Sequence, residues 1–211
     1  TSDTDNVATV YNDGNLTIVD NGTTKGKITR AATEADGSEN TYYVIANHGV
    51  MTVQGINVTN DNADDSSSLI INNIAVNGVY DQETPAELTI VGGSYTSAGS
   101  NAVKNDEYGI LVIENGYFSS NVSGNGAIFT WSTTTINKGT FEQKNSGGYA
   151  LFIGAVAGQT NKTVIKGGTF TGDRSIRFQN GEAGRDKGHL DISIEEGTFE
   201  GTFTLNVGFA T

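Results

Sequence analysis

The chain has 211 residues, with 28 glycines, a single proline, no cysteine, and 24 acidic against 12 basic side chains for a net charge of −12. Without cysteine there are no disulfides and no thiolate chemistry, and the acidic balance argues against nucleic acid, whose phosphates need clustered cations. Charge of this sign ordinarily serves solubility, and no apolar run is long enough to insert into a membrane.

Residues 1–50 carry a weak pattern and are assigned to N-terminal coils or a partial cap. The start Thr1-Ser2-Asp3-Thr4 lacks the features of a signal peptide, as expected of a mature fragment or an excised module of a larger, monomeric chain. Val7 to Val10 reads as the end of a preceding turn, Leu16 to Thr24 as a first repeat copy, and Tyr42 to Ala46 as a strand. Ile28 to Asn40 between them is either an insertion or a cap.

Residues 51–211 read as one continuous domain of repeats. The clearest copy is Thr163-Val164-Ile165-Lys166-Gly167-Gly168-Thr169-Phe170, with others starting at Leu88, Leu111, Thr134 and Ile192 and weaker ones at Leu16, Met51 and Leu69. The third position reads Ile18, Val53, Ile71, Ile90, Ile113, Ile136, Ile165, Ile194. The eighth reads Thr23, Val58, Val76, Tyr95, Phe118, Phe141, Phe170, Phe199, and glycine holds the sixth at Gly93, Gly116, Gly139, Gly168 and Gly197. Alternating apolar residues, a glycine bend and one more apolar residue describe two short strands meeting at a corner. From Ile56 through Ile74 to Gly93 and onward the steps run from 18 to 29 residues, the range of a solenoid unit.

A third strand follows in the later copies, at Ala102-Val103-Lys104, Ala127-Ile128-Phe129, Ala150-Leu151-Phe152, Ser175-Ile176-Arg177 and Thr204-Leu205-Asn206. The expected fold is therefore all-β, a parallel β-helix of about eight coils with three short strands each. The segments after the third strand lengthen toward the C-terminus, which predicts loops clustered on one edge, the usual place for binding or catalysis on a rigid frame. The pattern resembles the GGTF-type repeats of right-handed parallel β-helix regions in bacterial surface proteins, within the pectate-lyase-like superfamily. That resemblance implies an extracellular or cell-surface setting; for activity it implies little, because the superfamily spans lyases, hydrolases, tailspikes and adhesins.

Three stretches carry residues capable of recognition. If Ile128, Leu151, Ile176 and Leu205 point inward, alternation turns Phe129, Phe152, Arg177 and Asn206 outward, joined by Trp131. That makes a platform for a sugar ring or a protein partner, whereas a register slip of one residue makes the same rings core. Arg174, Arg177 and Arg185, with His189 nearby, suit an anionic ligand such as a uronate, sialate or sulfate; the alternative is local pairing with Asp173, Glu182, Asp186 and Asp191. Asp61, Asp64 and Asp65 offer oxygen ligands for Ca²⁺ but without EF-hand spacing, the alternative being a solvated turn; no other cofactor is indicated. Asn47-His48-Gly49 is similar to a polygalacturonase element, without its companion motifs.

No catalytic constellation emerges. The reading is a non-catalytic module that binds a host glycan or host extracellular protein, with a polysaccharide lyase or glycoside hydrolase using Arg174, Arg177 and His189, or a passive stalk, as alternatives.

Overall fold

A computed structural model describes residues 8–30, 43–60, 67–180 and 188–207. Its first strands are β1 (Ala8–Asn12), β2 (Asn15–Val19), β3 (Lys27–Arg30), β4 (Tyr43–Asn47), β5 (Val50–Gln54), β6 (Asn57–Asn60) and β7 (Ile70–Asn72). Then come β8 (Glu87–Ser97), β9 (Val103–Asn105), β10 (Ile110–Ser120), β11 (Gly126–Thr130), β12 (Thr134–Ile136) and β13 (Thr140–Gln143). The chain continues through β14 (Tyr149–Ala155), β15 (Thr160–Ile165), β16 (Thr169–Asn180), β17 (His189–Ile194) and β18 (Thr198–Val207). Among the described residues there is no helix, and the strands pair in parallel with equivalents one repeat away, the arrangement of a β-solenoid.

Three ladders result, each carrying one apolar column to the interior. In the first ladder Ile18, Val53, Ile90, Ile113, Ile136, Ile165 and Ile194 lie one over the next. In the second, Ile28, Val58, Tyr95, Phe118, Phe141, Phe170 and Phe199 do so. In the third the column is Val10, Ile45, Ile70, Val103, Ile128, Leu151, Ile176 and Phe203; at the last turn Phe203, and Ile194 of the first column, are exposed. From Tyr95 to Phe199 the rings of the second column stack with centroids 4.8, 5.1, 4.6 and 4.9 Å apart and planes within 10°. That spacing is the strand spacing itself, so the backbone ladder and the ring stack reinforce each other.

The glycine column follows from the same stacking. Gly116, Gly139 and Gly197 have φ of 144°, 146° and 150°, a region L side chains rarely enter. A Cβ on Gly139 would also stand 2.9 Å from the Phe141 ring and 3.1 Å from the Gly116 carbonyl oxygen.

Four features depart from the sequence expectation. The copy starting at Leu69 is not a repeat copy: β7 belongs to the third ladder, between Ile45 and Val103, while Val53 lies directly on Ile90 and Ile56 under Gly93. Val76, expected in the aromatic column, instead bridges Val79 in an antiparallel turn. In the first copy the eighth position belongs to Ile28 rather than Thr23, because an intervening turn, in which Asp20 accepts bonds from the Gly22 and Gly26 amides, lengthens the corner. Of the segments expected as loops after the third strand, that between Leu151 and Thr163 is short, while the longest described one leaves from the same corner earlier in the chain. The long interval from Leu151 to Thr163 is mostly strand, and the longest described excursion, 73–86, follows β7, pinned by buried Asn73 through bonds to Asp81, Ala86 and Glu107.

A buried polar spine runs beside the apolar columns. Asn12, Asn47, Asn72 and Asn105 end successive strands of the third ladder, and each side-chain amide donates to the next carbonyl at 2.7, 2.8 and 2.8 Å. Asn105 passes the chain to Thr130 and Thr134, and Asn161 with Thr163 continues it one repeat on. Thr134 and Thr163 hold the first repeat position, which is Leu or Met in the earlier copies, where the spine crosses to the first ladder.

Two outcomes test this architecture. Phe141→Ala removes a ring stacked on both sides and should cost about 3–5 kcal/mol in chemical denaturation. Asn72→Ala leaves the Asn105 carbonyl oxygen and the Ala86 and Ile110 backbone carbonyls short of a donor in a buried place. It should cost about 1–3 kcal/mol or more by the same measurement, although it deletes no apolar group.

Candidate functional site

Alternation along the third ladder turns a second column outward: Tyr11, Ala46, Ile71, Lys104, Phe129, Phe152, Arg177 and Thr204. The expected neighbours Phe129, Phe152 and Arg177 are therefore adjacent and outward. Asn206 is not among them, because β18 meets β16 with a register shift between Thr171 and Ile176 that sets Thr204 on Arg177 and Asn206 on Gln179.

Ala46 and Ile71 are buried and Tyr11 is half-buried, and the column opens at Lys104. There the Lys104 ammonium lies 2.6 Å from the buried Asp106 carboxylate. Tyr80, from the 73–86 excursion, bonds the same carboxylate; burial first, and then the charges of Asp106 and Glu107, push its phenol well above the ordinary range. Lys104 is thus neutralised within the protein.

Beyond it comes the aromatic cluster. Phe129 and Phe152 stack with centroids 3.9 Å apart and planes 5° from parallel. Trp131 packs across both at 5.6 and 5.2 Å, tilted 63° and 66° to their planes. Phe129 and Trp131 are half-buried, whereas Phe152 is 3% exposed, which corrects the expectation that all three rings stand free. The cause is the ladder: in-register phenylalanines turn their faces to each other, so Phe152 serves as a support and Phe129 and Trp131 carry the accessible surface. Gly154 makes room for the indole, since a Cβ there would come within 2.3 Å of Trp131 Cζ3.

The arginines complete the face. Arg174 and Arg177 hold their guanidinium carbons 5.3 and 5.0 Å from the centre of the buried Tyr149 ring, and Arg177 also lies 5.7 Å from that of Phe152. Arg174 Nη1 donates to the Tyr149 hydroxyl at 3.0 Å and to the Gly147 carbonyl at 3.2 Å, and Arg177 Nη1 donates to the same hydroxyl. Arg177 Nε is shielded from solvent without an acceptor. Among the described residues neither guanidinium has a carboxylate partner, so pairing with Asp173 or Asp191 is not what holds them.

His189 is not brought into this cluster: it is exposed on β17 of the first ladder, opposite Thr160. Arg185, and the proposed Ca²⁺ ligands Asp61, Asp64 and Asp65, lie outside the described residues, as do Glu182 and Asp186. The Asn-His-Gly element has a structural explanation on two of its three residues. Asn47 belongs to the polar spine, and a Cβ on Gly49 would strike the Gly14 carbonyl oxygen at 2.3 Å. His48 Nδ1 sits 2.9 Å from Asp13 Oδ1 at an open groove of about 490 Å³ that Asp81, Glu83 and Glu87 also line. Asp81 accepts bonds from the Thr84 hydroxyl and amide and the Glu83 amide, which hold its carboxyl below the usual range.

Sequence reasoning missed Tyr149, although its position one residue before Ala150 and Leu151 in a known third strand was visible. Compared with protein-family models, characterised proteins and solved structures, the chain matches none.

The seating of the indole on Gly154 has a direct check. Gly154→Ala should displace Trp131, the only tryptophan, shifting its emission to longer wavelength and lowering the melting temperature while leaving the far-ultraviolet β signal intact.

Proposed function

We propose that this chain is a non-catalytic, extracellular binding module of a bacterial surface protein, which contacts a host glycan or host extracellular protein through the outer face of its third ladder. The observation that carries this reading is the adjacency of two half-buried rings, Phe129 and Trp131, and two guanidiniums without carboxylate partners among the described residues, all on a frame fixed by parallel pairing. Aromatic rings and arginine are the groups enriched where binding energy concentrates. A rigid frame also keeps the ordering cost of binding small. The handedness of nearly all parallel crossovers supports a right-handed coil, and the GGTF-type repeat favours the surface-protein setting.

The test is retention of the intact chain on an array of host mucin glycans, acidic plant polysaccharides and host extracellular proteins. Trp131→Ala is expected to weaken the retained interaction by about tenfold or more with the far-ultraviolet β signal unchanged. Unchanged affinity would remove this face from the reading. Release of new reducing or unsaturated ends from any polysaccharide on the array would replace it with an enzyme, and a blank array would replace it with a stalk.

A further inference from the structure

We infer that Arg174 and Arg177, held side by side on Tyr149, form a receptor for a single oxyanion carried on a sugar ring, a carboxylate or a sulfate ester, with the sugar itself lying toward Phe129 and Trp131. This rests on the binding reading above and names its ligand class.

The two guanidiniums share one neutral acceptor. A phenol oxygen has two lone pairs and accepts both N–H groups, but it offsets neither charge. Like charges held together in a partly desolvated place repel, and the ring beneath them compensates only in part. Two other cations of the region are paired with carboxylates: Lys104, three positions before Arg177 on the same outward column, sits on buried Asp106, and Lys144 lies 3.8 Å from Glu142. The pair at Tyr149 has no such carboxylate among the described residues, in a chain of net charge −12. The guanidiniums retain N–H donors beyond those used on Tyr149 and Gly147, and the planar fork matches a carboxylate or sulfate.

Charge also sets the size of the ligand's anionic part. A patch two cations wide on a strongly acidic surface attracts one oxyanion and repels a dense polyanion. The strand spacing places Arg177 one step of about 4.8 Å from Phe152 and two steps from Phe129, so an anion on Arg177 leaves the adjoining sugar within reach of Phe129 and of Trp131 beside it. The ligand class is therefore an oligosaccharide with an isolated acidic residue, rather than a heavily sulfated chain or a nucleic acid.

Isothermal titration of the intact chain with sialyllactose, with 6-sulfated lactose and with uncharged lactose tests this. The charged sugars should bind about tenfold or more tightly than lactose. Raising the salt should shrink that preference, and Arg177→Met or Arg174→Gln should abolish it with the melting temperature held. Arg177→Lys, which keeps the charge and loses the fork, should recover only part of it. Preference for both charged sugars assigns the site to an oxyanion in general, and preference for one alone assigns it to that group. Equal binding of lactose and the charged sugars, unaffected by Arg177→Met but lost in Trp131→Ala, would overturn the inference and leave the binding reading standing. If no sugar binds and only proteins are retained, the inference falls, and if nothing is retained, both fall.

Discussion

The constraint on which this molecule depends is parallel, in-register pairing, which sets each residue on its equivalent one strand spacing away. An interior built that way must be made of side chains that tolerate their own kind at about 4.8 Å. β-branched residues do, and the first ladder uses them from Ile18 to Ile194. Flat rings do, and the second ladder stacks five of them from Tyr95 to Phe199. Carboxamides do as well, because each is donor on one side and acceptor on the other, which is why the polar spine of the third ladder is asparagine from Asn12 to Asn105. No single turn has an interior of its own; the apolar columns and the amide spine exist only between turns.

The same constraint shapes the outside. Where consecutive turns place Phe129, Phe152 and Arg177 on one outward column, the pairing makes a stack, with the rings face to face and the guanidinium over the last ring. The ring with neighbours on both sides is lost to solvent, and the surface passes to Phe129, to Trp131 lying across the ring edges, and to the arginines. Recognition on such a frame is spaced by the strand repeat, so neighbouring subsites are fixed by pairing rather than by loop conformation.

The frame was legible in the sequence where the repeat is strongest. Ile128, Leu151 and Ile176 point inward in the expected register, and so the outward placement of Phe129 and Arg177 could be read before any coordinates. The failures share one cause, which is that a short apolar run does not announce its ladder. Leu69-Ile70-Ile71 has the composition of a first strand and occupies the third ladder. What would have distinguished it was the asparagine after it: Val10-Tyr11-Asn12, Ile45-Ala46-Asn47, Ile70-Ile71-Asn72 and Val103-Lys104-Asn105 are one motif, visible in the chain and unrecognised because polar residues are not sought in a core. Tyr149 was missed for a different reason. Its importance comes from two arginines in the next turn, 25 and 28 residues later, and no local pattern encodes that contact.

The central claim is that partners land on the outer face of the third ladder, and the lone tryptophan stands in that face as a reporter. The most direct measurement is therefore a titration of the intact chain with a retained ligand, following Trp131 emission alongside heat of binding. The account predicts a saturable change in emission whose midpoint matches the calorimetric dissociation constant. Heat of binding with no change in Trp131 emission would place the partner elsewhere on the solenoid and contradict it.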